Sequence, residues 1–120
     1  MKLEEHSAYI KSFNLSNYVW EVAKNFDWFV KKTIGSQFVR AVDSISANLA
    51  EGWHRYYKKD KIVFYIIARA SASESLDWAR KCKIRKLITE KQFLSISNIL
   101  EELPKDINGL IKSTKDNLEK

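Results

Sequence analysis

Arg40, Asn48 and Glu51, within QFVRAVDSISANLAEGWHR at residues 37–55, together with Glu74, are residue types from which an acid–base site can be built. Such a site needs the chain to bring them together. Asn48 and Glu51 flank Leu49, an apolar position of the same helix, and a buried carboxylate is tolerated only when paired and hydrogen-bonded. The favoured reading is a structural polar network, with Arg40 or Arg55 pairing with Glu51 or Glu74 to fix helix register. Little else in the chain suits catalysis. His6 and His54 are far apart, neither has metal-ligand spacing such as H-E-x-x-H, and no Gly-rich phosphate loop is present. Cys82 lies on a row of small residues and reads as a buried thiol. The chain reads as a non-enzyme without metal or cofactor.

Binding chemistry is better represented. GWHRYYKKDK at residues 52–61 holds three aromatics, a histidine, and Arg55, Lys58, Lys59 and Lys61. RKCKIRK at residues 80–86 holds Arg80, Lys81, Lys83, Arg85 and Lys86. Residues 52–91 carry 11 Lys or Arg against four Asp or Glu, so this region supplies the whole net charge of +6. Clustered cations attract polyanions, and arginine and tyrosine stack on unpaired bases. These nine cations are therefore the candidate contacts to RNA or single-stranded DNA. The plain readings are solvated loop lysines for the first cluster and cations complementing a helix C-terminus for the second. Trp20, Trp28, Trp53, Tyr56 and Tyr57 are candidates for a subunit interface, since monomers rarely leave large apolar patches in water. For Trp20, a hydrophobic staple at a helix start is the plainer explanation.

The elements that must position these residues are helices. Three Gly and one Pro in 120 residues argue against a β-sandwich, and the length suits one domain with its own core. Leu15, Val19, Val22, Phe26 and Phe29 predict a first helix capped by Ser16, with residues 1–14 a partly ordered lead-in to a bundle spanning 15–118. Phe38, Val42, Ile45 and Leu49 predict a second helix capped by Ser36 and ending near Gly52. A long third helix from about Asp60 to about Lys86 has two seams. One is Tyr65, Ala68, Ala72, Ser75, Ala79 and Cys82; the other is Phe64, Ile67, Ser71, Glu74 and Trp78. Thr89 and Gln92 form a capping-box pair opening a fourth helix with seam Phe93, Ile96, Leu100, Leu103, Ile107 and Leu110, in which Pro104 predicts a kink. The expected architecture is an all-α, antiparallel up-down-up-down four-helix bundle with a long third helix. A lone cysteine and an N-terminal stretch without an apolar h-region predict a cytoplasmic protein, and no segment is apolar for long enough to span a membrane.

The stretch at residues 37–55 resembles the signature of small bacterial four-helix-bundle proteins encoded in intervening sequences of large-subunit ribosomal RNA genes. Gln37, Arg40, Ser44, Ile45, Ala47, Asn48, Ala50, Glu51 and Gly52 fall on its pattern. KSF at 11–13 and SASES at 71–75 extend the likeness over about residues 11–116. The chain departs from the pattern at Tyr57, where members often have a capping Ser, and at Arg69, where an apolar residue is common. The resemblance implies a homopentameric barrel of antiparallel bundles. It also implies kinship with the basic accessory protein of diversity-generating retroelements, which contacts nucleic acid and a reverse transcriptase. Two expectations follow: a ring-like homo-oligomer whose basic surfaces hold RNA or single-stranded DNA without chemistry, or an oligomeric adaptor that docks a protein partner such as a reverse transcriptase and binds no nucleic acid.

Overall fold

The computed structural model describes residues 1–117, which are helical and contain no strand. After a 3-10 turn at Leu3–Glu5 the chain enters α1 (Ser7–Ala23). A turn leads to a short α2 (Trp28–Val30), which passes through a π-helical turn at Lys31–Gly35 directly into α3 (Ser36–Trp53). Then come α4 (Lys58–Ile84) and α5 (Glu90–Asn117). α3 packs on α1 and α4, and α5 packs on α4 and α1, so four long helices enclose one core. The seams Phe38-Val42-Ile45-Leu49 and Ile96-Leu100-Leu103-Ile107 are fully buried and face Val19, Tyr65, Ala68, Ala72 and Ala79.

The chain starts earlier than its apolar spacing predicts. α1 begins at Ser7, so residues 7–14 belong to the helix and Ser16 lies inside it rather than capping it. The cap is His6, whose Nδ1 accepts the Ala8 amide at 3.2 Å. Ala8, Ser12, Leu15 and Val19 form one buried row, and Ser12 disguises it as polar. Ser12 and Ser16 turn their hydroxyls back onto the carbonyls of Tyr9 and Phe13, at 3.1 and 2.8 Å, which lets a serine sit in a core.

The second helix also starts earlier, at Trp28, because the Asp27 carboxylate accepts the Val30 amide at 3.0 Å and caps it. The predicted cap Ser36 lies inside the helical run and donates to the Thr33 carbonyl at 3.1 Å. Gly35 is helical too, with φ −58. A Cβ there would stand 3.0 Å from the Val30 carbonyl oxygen and 3.3 Å from the Phe26 ring, so this glycine serves close packing and not a break. Phe26 remains buried in the turn, whereas Phe29, predicted on the same seam, is exposed.

α4 starts at Lys58 after Tyr57, which supplies no side-chain cap, consistent with the departure from the family's capping serine. Its first predicted seam is buried throughout, but Ile67 and Glu74 of the second are exposed. The helix stops at Ile84. The amide of Leu87 then donates to the Cys82 carbonyl at 2.8 Å and that of Lys86 to the Lys83 carbonyl at 3.0 Å, a Schellman termination. Lys86 occupies its left-handed position at φ 60.

α5 opens with the predicted capping box: the Thr89 amide donates to Gln92 Oε1 at 2.8 Å, and the Gln92 amide to Thr89 Oγ1 at 3.0 Å. The helix runs through Pro104, which leaves the Leu100 carbonyl without its amide partner. α4 has 27 residues and α5 has 28. The expected bundle boundary at residue 118 lies outside the described residues.

Candidate nucleic-acid interface

The two basic clusters sit at the two ends of α4, on the order of 40 Å apart at 1.5 Å per residue. At its N-terminal end, α3 and α4 approach so closely that a Cβ on Gly52 would stand 2.7 Å from the Tyr65 ring and 3.0 Å from the Lys61 carbonyl oxygen. That approach shapes how the cations there are used. Lys61 Nζ donates to the Trp53 carbonyl at 2.6 Å, closing the C-terminus of α3, and burial lowers its pKa. Arg55 pairs with Glu51 at 2.7 Å and lies over the Phe64 ring. Lys58 donates to the Lys115 carbonyl of α5 at 3.3 Å. Lys59 is exposed and makes no ion pair or hydrogen bond among the described residues.

At the other end, Lys81 pairs with Asp77 at 2.8 Å and covers the Trp78 ring, and Lys83 pairs with Glu90 at 3.2 Å over the Phe93 ring. The side chains of Arg80, Arg85 and Lys86 are exposed and make no ion pair or hydrogen bond among the described residues. Of the nine candidate cations, the fold therefore uses Arg55, Lys61, Lys81 and Lys83 in ion pairs or helix closure, and leaves Lys59, Arg80, Arg85 and Lys86 to solvent.

The four polar residues of the signature do not converge. The Arg55–Glu51 pair spans one turn of α3 and crosses to no other helix. Glu74 accepts from Trp78 Nε1 at 3.4 Å within α4, and Arg40 lies about three turns before Glu51 on α3, on the wall of a cleft it shares with Trp20, Ala23 and Lys24 of the α1 end. Asn48 does build a network, but with serines: its Nδ2 donates to the Ser44 carbonyl at 2.8 Å and to Ser44 Oγ at 2.9 Å, and Ser44 Oγ meets Ser71 Oγ at 2.9 Å. This link joins α3 to α4 through serines, where the sequence pointed to ion pairs of Arg40 or Arg55 with Glu51 or Glu74. Cys82 is fully buried, and burial pushes its thiol pKa up to about 11, the opposite of what a nucleophile needs. Among the described residues no group of His, Cys, Asp or Glu could hold a metal ion, and no helix is long and apolar enough to cross a membrane.

The aromatics divide. Trp53 is half-buried, its ring 6.2 Å from that of His6. Tyr56 and Tyr57 are exposed and stack edge to face at 4.9 Å. Trp28 is 73% exposed, with Lys32 over its ring. Trp20 is 57% exposed and cannot be a staple, since it lies in the fourth turn of α1. Sequence reasoning placed Ile67 on a packing seam and missed that, with Val63, Ile66 and Ala70, it forms an exposed apolar row along α4. Its signal was the apolar run beside the Tyr65 seam.

Comparison with known proteins agrees with the four-helix geometry. No curated protein matches the chain. Among solved structures, a crystal structure of a protein of unknown function from the S23 ribosomal protein family of Bacteroides thetaiotaomicron VPI-5482 is similar at a TM-score of 0.78 and 25% identity, over 88% of this chain and 98% of that one. The family model for 23S rRNA-intervening sequence protein matches residues 4–109, a span that holds α1 to α4, most of α5 and both basic clusters. The chain therefore belongs to the 23S rRNA-intervening sequence protein family.

Proposed function

We propose that this protein is a non-catalytic, cytoplasmic RNA- or single-stranded-DNA-binding protein. In this reading it is an antiparallel up-and-down bundle that self-associates into a ring-like homo-oligomer, a pentamer on the family resemblance, and repeats its basic ends around the ring. The antiparallel course is supported by contacts pairing the start of one helix with the end of the next, such as Lys83 with Glu90 and Lys58 with Lys115. Self-association is supported by the exposed Trp28, Phe29 and α4 apolar row.

The observation that carries the nucleic-acid reading is Lys86. A lysine in the left-handed region costs about 1–2 kcal/mol that glycine avoids, and strain of this kind clusters at functional positions. The Lys86 side chain makes no ion pair or hydrogen bond among the described residues in exchange, and the same holds for the side chains of Arg85 and Arg80.

The test is fluorescence anisotropy of nuclease-treated protein with a labelled structured RNA and a labelled single strand across a salt series. Its control is a Lys59/Arg80/Arg85/Lys86→Gln variant with wild-type mass in solution. Phosphate contacts release counterions, so affinity should fall steeply with salt, and the variant should lose both affinity and slope. Absence of binding at low salt would refute the reading. The α4 apolar row, which the fold leaves about half exposed, would then favour the second reading, an adaptor docking a protein partner.

A further inference from the structure

Between α1 and the α2–α3 run lies a cleft of about 570 Å³, lined by Trp20, Ala23, Gly35 and Val39, with Lys24, Lys31, Arg40 and Asp43 also on its walls. It belongs to neither basic cluster. We propose that this cleft holds one unpaired nucleotide, its base stacked on Trp20 and its phosphates held by Lys24, Lys31 and Arg40; the proposal deepens the nucleic-acid reading and rests on it.

The volume falls within the range of small-ligand sites, and the mixture of an apolar wall with a few charged groups is typical of them. The indole is 57% exposed, lies too far into α1 to staple the helix start, and meets no aromatic ring or cation among the described residues. Base stacking on such a ring is sequence-tolerant. The side chains of Lys31 and Arg40 likewise make no ion pair or hydrogen bond among the described residues, and that of Lys24 pairs with Glu21, one turn back on the same helix, at 2.6 Å.

Three cations and one carboxylate leave the cleft positive, which favours a phosphate over a neutral or cationic guest. Asp43 is the acceptor-only group of the set. It is partly desolvated, so its carboxyl pKa rises, and it has no ion-pair partner among the described residues. It would repel a phosphate and accept from a base amine or a ribose hydroxyl. The phosphates therefore lie toward Lys24, Lys31 and Arg40, and the base and sugar toward Trp20 and Asp43.

The test pairs a labelled 12-nucleotide single strand with adenosine 5′-monophosphate, adenosine and inorganic phosphate as separate probes, on the wild type and on Trp20→Ala and Arg40→Gln. Trp20→Ala should weaken strand binding roughly tenfold with an unchanged salt slope, because stacking releases no counterions. Arg40→Gln should instead flatten the slope by about 0.7 for its lost phosphate contact. The monophosphate should bind more tightly than adenosine or phosphate, and lose that advantage in Trp20→Ala. Strand and monophosphate binding unaffected by Trp20→Ala would overturn the cleft proposal and leave the basic-end reading standing. So would loss of oligomeric mass in that variant, which would make Trp20 an interface residue. Monophosphate binding that depends on Trp20, with no strand binding, would keep the cleft and overturn the strand reading; no binding of any probe would overturn both.

Discussion

Lys86→Gly separates stability from binding at one residue. Lys86 sits at the left-handed position of the Schellman turn that ends α4, with φ 60. An L side chain there costs about 1–2 kcal/mol, which glycine would recover. Glycine also gains freedom in the unfolded chain, which returns about 0.4–1 kcal/mol of that relief. The net expectation is a stabilisation of about 0.5–1 kcal/mol, or roughly 2–5 °C in Tm for a chain of this length. The lysine side chain makes no ion pair or hydrogen bond among the described residues whose loss would offset this gain. Urea and thermal denaturation followed by circular dichroism measure the first effect, and the salt series measures the second: one phosphate contact fewer per chain should lower the single-strand slope by about 0.7. A lower Tm in Lys86→Gly would refute the strain argument. A higher Tm with unchanged affinity and slope would show that the strained cation is not retained for nucleic acid.

Other perturbations test the bundle itself. Gly52→Ala forces a methyl to within 2.7 Å of the Tyr65 ring and 3.0 Å of the Lys61 carbonyl, so overpacking of about 1–3 kcal/mol should outweigh a helix-propensity gain of at most about 1. Gly109→Ala, with nothing within 4 Å of the new methyl, should be neutral or stabilising in the same melts. Thr89→Ala removes half of the capping box of α5 and should cost about 1 kcal/mol by urea denaturation. Burial lowers the pKa of His6, and its neutral Nδ1 caps α1. The unfolded chain therefore binds the extra proton more readily, and stability should fall as pH drops below about 6.5. His6→Asn, which keeps a cap without the titration, should flatten the Tm change between pH 7.5 and 5.5. Cys82, fully buried with its thiol pushed up to about 11, should be inert to a disulfide reagent at pH 8 until urea unfolds the chain.

The sequence made some parts of this architecture readable and hid others for identifiable reasons. The seams of α3 and α5 and the Thr89–Gln92 box were legible because apolar spacing and capping chemistry agree there. The start of α1 was not. Its buried row passes through Ala8 and Ser12, and a serine that satisfies itself on the preceding turn looks polar in a sequence while packing as a small apolar residue. Gly35 and Gly52 looked like stops, yet both are close-contact positions, a property of neighbours distant in sequence that local spacing cannot carry. Among the site residues, charge was legible but not its use. Lys61 and Lys59 read alike in GWHRYYKKDK, and only the packed end of α3 distinguishes the lysine that closes a helix from the one left to solvent.

That distinction changes what net charge can argue for. An excess of +6 is compatible with lysines that merely close helices and cover rings, which is what Lys61, Lys81 and Lys83 do. Cations spent in this way cost desolvation or are neutralised by a carboxylate, and they offer little to a phosphate. The argument for a polyanion surface therefore rests on the remainder: Lys59, Arg80, Arg85 and Lys86 at the ends of α4, and Lys31 and Arg40 beside the indole of Trp20. These six are the positions at which substitution should change binding and leave the fold intact. Neutralising Lys61 instead should destabilise the junction of α3 and α4 and weaken binding only through loss of folded protein. A basic surface defined by total charge would predict equal effects at all of these positions.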